Sequence, residues 1–347
     1  MTRGIIYDFS LSELTDIFSS WNEPSYRATQ LWQGLYQQFW DSPEQFTNFS
    51  AQLRQKLGSE FNFYFLLPNN TLRSSDNQTI KTLFKLSDGQ TIEAVLMRYE
   101  KRRTICISTQ VGCAMGCVFC ATGQMGFKRH LSSGEIVAQV IYYARLLKDE
   151  NAAITNVVVM GMGEPFHNYD NTMSAIDRLN DTNGYNFGSR RFTISTVGLV
   201  PAIRRFTKEK RQVNLAVSLH AADDTLRSSM LPINKSYSLD EILAACREYV
   251  STTSRRITFE WALINGINDT PDQAHLLAVK LKGLLCHINA IPLNPTKAYS
   301  GESTTRLRAD AFKNTLNSHG IPCTIRLRRG VDIQAGCGQL ISDENLK

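Results

Sequence analysis

Three cysteines, Cys113, Cys117 and Cys120, stand at C-x3-C-x2-C spacing within ISTQVGCAMGCVFCATGQMGF. Arms this short let one loop wrap a compact iron-sulfur cluster, and three thiolates leave one iron of a four-iron cubane without a protein ligand. An iron left open in this way can bind a substrate. Gly112, Gly116 and Gly123 ease the tight path of the loop. A structural zinc site suits the run poorly, because zinc wants four ligands, usually as two C-x2-C pairs. No fourth Cys or His lies close to the loop. Disulfide frameworks belong to small secreted domains, whereas this chain has 347 residues and opens on MTRGIIYDFSLSELTD, which does not read as a signal segment.

Two further cysteines have suggestive settings. Cys106 lies seven residues before the cluster loop, and Cys337 sits between glycines in GVDIQAGCGQL. Free cysteines are ordinarily buried small hydrophobes, and Cys246, Cys286 and Cys323 read that way. A thiol flanked by glycines has little local side chain to pack against, so Cys337 is expected to be exposed and able to move into a site.

The elements that must position these groups begin near residue 104. Short β-rich runs at 104–109, 155–161, 192–196, 213–219, 257–263 and 287–292 alternate with amphipathic stretches such as 132–147 and 239–250, the pattern of parallel βα units. Ser132 and Glu135 are spaced as a capping box. The expected fold is α/β: an incomplete (βα)6 TIM-like barrel, whose function gathers at the C-terminal ends of its strands. Polar residues recur at those ends, as Gly161-Met162-Gly163-Glu164-Pro165, Ser195-Thr196, Ser218-Leu219-His220 and Asn294. Any one of them reads equally as a turn residue. A ring of them is what an amino acid, a ribose and an adenine need from a barrel.

Residues 1–92 have a different texture. Trp21, Trp32 and Trp40 lie in WNEPSYRATQLWQGLYQQFWDSPEQF, where the spacing of Leu31, Leu35 and Phe39 predicts a small helical module that uses its tryptophans for packing. A run after Asn70 alternates and turns at Asp88-Gly89, as a β-hairpin does. The expected division is an N-terminal accessory domain over 1–92, a core barrel over 93–333 and a C-terminal segment over 334–347 carrying Cys337. Seven Lys and Arg face nine Asp and Glu in residues 1–92, against 31 and 23 in the rest, so the basic balance belongs to the barrel. It comes in small clusters such as Arg190-Arg191, Arg204-Arg205 and Arg326-Arg328-Arg329, which suit either phosphate contacts or a solvated face. No stretch approaches the roughly 20 apolar residues of a membrane span, and eight cysteines without a secretion signal point to a reducing cytoplasm.

Taken in order, CISTQVGCAMGCVFCATGQMGF, VVMGMGEP, RFTISTVG, VSLHA, LPIN, IPLNP and DIQAGCGQL resemble the RlmN/Cfr family of radical S-adenosylmethionine (SAM) RNA adenosine methyltransferases, and SYRATQLWQGLY resembles that family's N-terminal domain. The likeness covers nearly the whole chain. It implies a [4Fe-4S] cluster on Cys113, Cys117 and Cys120, and SAM held by Gly163, Glu164, Ser195, Ser218, Leu219, His220 and Asn294. Two SAM are implied per turnover. Cys337 matches the methyl-carrying thiol, Cys106 the thiol that resolves the protein-RNA adduct, and Glu93 the proton acceptor. Gln334 and Gly336 depart from the family's usual DIDAACGQL, which bears on the charge and mobility of that loop. The implied substrates are adenosines of 23S rRNA and tRNA, with flavodoxin or ferredoxin and its reductase as electron donor and a monomer as the working form. Val111 and Pro165 favour C2 methylation, as in RlmN, over the C8 methylation of Cfr-like proteins. An RNA-binding metal module without catalysis would need neither Cys106 and Cys337 nor the SAM residues.

Overall fold

In the computed structural model, which describes residues 3–63 and 65–341, the N-terminal part folds as three helices, α1 (Leu11–Ser20), α2 (Tyr26–Gln33) and α3 (Ala51–Glu60). They are tied by a two-stranded parallel sheet of β1 (Gly4–Ile5) and β2 (Phe61–Asn62). Ser10 and Glu13 close a capping box on α1. Trp32 is buried, with its ring centre 4.2 Å from that of Tyr36 and the two planes tilted by 37°, so this tryptophan does pack.

A ten-stranded sheet follows. Three antiparallel strands, β3 (Leu66–Arg73), β4 (Thr79–Leu86) and β5 (Thr91–Arg98), lead into β6 (Arg103–Cys106). The turn between β4 and β5 lies at Asp88-Gly89, where Gly89 takes φ 82°, as the sequence predicts. The sheet does not stop there, because β5 pairs on with β6, and the expected boundary after residue 92 falls inside β5. Between β6 and the next barrel strand the chain makes a hairpin, β7 (Gln110–Gly112) with β8 (Phe127–His130), spanned by the short helix α4 (Ala121–Gln124).

The barrel then runs through α5 (Ser133–Asp149), β9 (Asn156–Val159), α6 (Tyr169–Asn180), β10 (Phe192–Thr196), α7 (Val200–Glu209), β11 (Asn214–Ser218), α8 (Asp224–Met230), α9 (Leu239–Thr253), β12 (Ile257–Leu263), α10 (Pro271–Leu281), β13 (Cys286–Pro292), α11 (Arg306–Ser318) and β14 (Cys323–Ile325). All its pairings from β6 through β9–β14 are parallel. All six expected strands are present, and β10 and β12 match their predicted bounds. A seventh parallel strand, β14, was not expected. Its three residues follow a helix with little apolar signal of their own.

The cap of α5 works as its spacing predicts. Ser132 Oγ accepts from Glu135 N at 3.2 Å and Glu135 Oε2 accepts from Ser132 N at 2.9 Å. Arg129 grips the same carboxylate with two N–H groups, at 2.8 and 2.9 Å. The end of β8 is thereby pinned to the start of α5, which steadies the hairpin that carries the cluster loop. One apolar core runs from the N-terminal helices through the barrel. A second, smaller cluster, including Phe119, Leu231 and Leu293, lies behind the cluster loop. Among the described residues no helix is long and apolar enough to cross a membrane.

Candidate active site

The three motif cysteines open onto one cavity of about 160 Å³ at the C-terminal ends of the barrel strands. Their loop is braced from three sides. Cys113 N donates to Gly126 O at 2.9 Å, Val118 N to Met230 O at 3.1 Å, and Ala121 N to Gly338 O at 2.8 Å. A Cβ at Gly112, where φ is +73°, would lie 1.8 Å from Gly126 O, so only glycine lets β7 and β8 close at that point.

Most of the expected SAM residues line the same cavity: Gly163, Glu164, Ser195, Ser218, His220 and Asn294. Gly163 takes φ +100°, and a Cβ there would meet Gln110 at 2.6 Å. Glu164 accepts from Phe166 N at 3.0 Å and Val197 N at 2.8 Å, tying its loop to the end of β10. Burial pushes its carboxyl up to about 7 despite those bonds. His220 Nδ1 accepts from Ala262 N at 2.9 Å, so this imidazole carries its proton on Nε2. Burial first, and then Arg227, push its pKa down to about 3, so the ring is neutral. Leu219 lies beneath the lining, fully buried, with its carbonyl accepting from Arg227.

Cys337 reaches the cavity on a strap formed by residues 330–341. Gly338 O and Leu340 O hold the strap to the cluster loop, through Ala121 N and through Thr122 Oγ1 at 2.6 Å. The thiol is exposed, as its glycine flanks predict. The surrounding walls still desolvate it and push its pKa up to about 11, with Arg326 pulling the other way. Gly336 leaves no room for the alanine usual in the family, since a Cβ there would lie 2.5 Å from Asn294 Nδ2. The Gln334 carbonyl accepts from Lys81 Nζ at 3.3 Å. Residues 342–347 of the predicted C-terminal segment lie outside the described residues.

Cys106 and Glu93 do not line the cavity; they stand behind the strap. Burial first, and the Cys337 sulfur second, push the Cys106 thiol up to about 12, while Arg326 opposes them. Glu93 is 2% exposed and pairs with Lys81 at 2.8 Å, while its second oxygen accepts from Ile341 N at 3.0 Å. Burial holds its carboxyl above the usual range, against the pull of Lys81.

Sequence reasoning missed Lys81 and Arg227. Arg227 is fully buried and donates to Val197 O at 2.7 Å, Asn234 Oδ1 at 2.7 Å, and the carbonyls of Ser218 and Leu219 at 3.2 Å. It gathers the ends of β10 and β11 under the cavity, and Asn234 of the LPIN run orients it. Burial lowers its pKa to about 10. Arg227→Met should leave several buried carbonyls unpaired and lower the unfolding free energy by roughly 3 kcal/mol, read by anaerobic urea unfolding. An unchanged midpoint would mean that the rim holds together without it. The basic cluster on α7 is already engaged: Arg204 with Glu248, Arg205 with Asp170 and Glu209, and nearby Arg211 with Asp177.

The Radical SAM superfamily model matches residues 107–277, and the model for the ribosomal RNA large subunit methyltransferase N-terminal domain matches residues 6–62. The chain is 47% identical to dual-specificity RNA methyltransferase RlmN 1 of Myxococcus xanthus, over 98% of this chain and 94% of that protein. It belongs to the RlmN family. A probable dual-specificity RNA methyltransferase RlmN of Chloroflexus aurantiacus is 46% identical, over 98% and 93% of the two chains. The crystal structure of a radical SAM methyltransferase from Sphaerobacter thermophilus superposes with a TM-score of 0.96 at 48% identity, covering 98% of this chain and all of that one. RlmN membership makes the protein a SAM-dependent RNA methyltransferase of radical SAM fold, a family that uses a [4Fe-4S] cluster and SAM.

The residues fit both groups. Among the described residues no three His, Cys, Asp or Glu converge on one point as a single ion requires. A cubane gives each thiolate its own iron and needs no such convergence. Burial, and then repulsion from Cys120 and Cys113, hold the Cys117 thiol far above its ordinary range, a penalty that a cationic cluster relieves. On the SAM side, Asn294 Oδ1 is buried and lacks a partner among the described residues, while Nδ2 of the same amide donates to Cys337 O at 3.1 Å.

Proposed function

We propose that this enzyme methylates C2 of an adenosine in the peptidyl transferase region of 23S rRNA, and of an adenosine beside the anticodon in tRNA, through a methyl group first carried on Cys337. One observation carries the reading: Cys337 opens onto the cavity of the three cluster thiols. The ring carbons of adenine are too electron-poor to attack an electrophilic methyl, so polar transfer from SAM to C2 fails. When bound, the cluster and SAM supply a radical able to take hydrogen from a methyl group.

The protein's own residues do the rest. The Cys337 thiolate accepts a methyl from one SAM, and a second SAM serves the hydrogen removal, which leaves a methylene on the Cys337 sulfur that adds to C2. Glu93 takes the proton released from C2. Lys81 favours the ionised form that this role needs. Because Glu93 also holds Ile341 N, taking that proton requires the strap to shift. The adduct left by radical addition must also give up one electron, which a bound cluster would accept; Cys106 then attacks the Cys337 sulfur, an S–S bond forms as the sulfur-to-methylene bond breaks, the freed carbon takes up a proton to become the methyl group, and an external reductant resets the disulfide. A flavodoxin or ferredoxin with its reductase suits the electron supply, and the enzyme acts as a cytoplasmic monomer.

The regiochemistry rests on Val111, buried in β7, and on Pro165 after Gly-Met-Gly-Glu. An rRNA fragment bearing deuterium at C2 or at C8 of the target adenosine tests it. Incubation with reduced enzyme and SAM should release the C2 label and give 2-methyladenosine. Loss of the C8 label with 8-methyladenosine as product would refute C2 and leave the radical route standing.

A further inference from the structure

The cavity wall holds one acid that no step above uses. Glu260, on β12, is 5% exposed and lines the cavity. Its Oε2 accepts from Asn289 Nδ2 at 2.7 Å, the one hydrogen bond its carboxyl makes among the described residues. Register sets it between Ser218 on β11 and Asn289 on β13, so a polar row crosses the barrel from the expected SAM residues toward the two thiols. Arg326 continues the row just past β14, where its main-chain N donates to Ala290 O at 2.8 Å. Its guanidinium interacts with Cys337 and Glu260 and, more weakly, with Tyr99 and Cys106. Among the described residues it donates no hydrogen bond to protein, which leaves five N–H donors uncommitted beside the reacting sulfurs.

An acceptor next to a set of donors matches one feature of adenine. The N6 amine donates and the ring nitrogen beside it accepts. If that nitrogen is N1, the next ring atom is C2, so donors placed by the thiols bring C2 to them. We propose that Glu260 and Arg326 read the target base, the Glu260 carboxyl accepting from the N6 amine and the Arg326 guanidinium donating to N1. The proposal rests on the C2 reading above. A donor on N1 also draws electron density from C2, which helps that carbon accept a nucleophilic carbon radical. Burial has pushed Glu260 up to about 7 against the pull of Arg326, and a hydrogen bond donated by the N6 amine favours its ionised form.

The test pairs variants with base analogues. Wild-type holoenzyme is given rRNA fragments whose target is adenosine, purine riboside (no N6 amine) or 1-deazaadenosine (no N1), and single-turnover methylation is followed anaerobically. Each analogue should slow wild type about ten- to a hundredfold. Glu260→Ala should slow adenosine RNA by a similar factor yet change the purine riboside rate less than about threefold, and Arg326→Met should behave likewise with 1-deazaadenosine. Iron content equal to wild type marks variants that have folded. Losses of equal size on adenosine and analogue, or a raised SAM requirement in Glu260→Ala alone, would assign the pair a structural or SAM-binding role and overturn the proposal. Should either variant not fold, wild type alone decides, since equal use of all three fragments means the pair does not read the base. Wild type that gives 8-methyladenosine from the adenosine fragment would instead overturn the C2 reading on which the proposal rests.

Discussion

Cys337→Ala should yield neither methylated protein nor methylated RNA, whereas Cys106→Ala should accept the methyl, attack adenine and stop as a covalent protein-RNA adduct. The two thiols have different surroundings, and the proposed roles follow from that difference. Cys337 is exposed on a strap at the cavity, where a methyl donor can reach it. Cys106 is fixed in β6, opposite Val95 of β5, and outside the cavity lining. A thiol set on a strand away from the cavity suits a resolving role better than that of a carrier. Denaturing gels of anaerobic reactions with labelled RNA should show the adduct only in Cys106→Ala, and mass spectrometry should find methyl on that variant and not on Cys337→Ala. Normal turnover by Cys106→Ala, or mere loss of stability in both, would return the pair to the class of packing cysteines.

Much of this site was legible because its signals are local. The cysteine spacing lies within eight residues, the α5 cap within four, and β10 and β12 are short apolar runs with clear ends. What was missed depends on tertiary partners. Lys81 looks like an ordinary strand lysine until the β4–β5 hairpin brings it 2.8 Å from Glu93, Arg227 looks like an ordinary helix arginine, and Glu260 is a single charge in an apolar strand. No spacing rule marks such residues, since each gains its meaning from the groups the fold sets against it. The β7–β8 hairpin was hidden for another reason. β7 has three residues, too few to display alternation. Clustering in sequence likewise cannot reveal that acids from α6 and α9 pair with the arginines in and just after α7.

Reconstituted wild-type protein should hold about four irons, and Cys113→Ala, Cys117→Ala and Cys120→Ala should each lose nearly all of that iron and RNA methylation with it. A cubane held by three thiolates from one loop has no spare protein ligand. The other thiol at the cavity, Cys337, is the proposed methyl carrier and is held by its own strap. The loop and the strap share two hydrogen bonds, Ala121 N to Gly338 O and Thr122 Oγ1 to Leu340 O, so loss of the cluster should also loosen Cys337. Alkylation followed by peptide mass spectrometry should therefore find Cys337 modified faster in the three variants than in the holoenzyme. Cys246, buried on α9, should stay unmodified in all of them. An active preparation that holds stoichiometric zinc and no iron would remove the cluster assignment. Unchanged Cys337 alkylation in clusterless variants would show that the strap is held independently of the loop it touches.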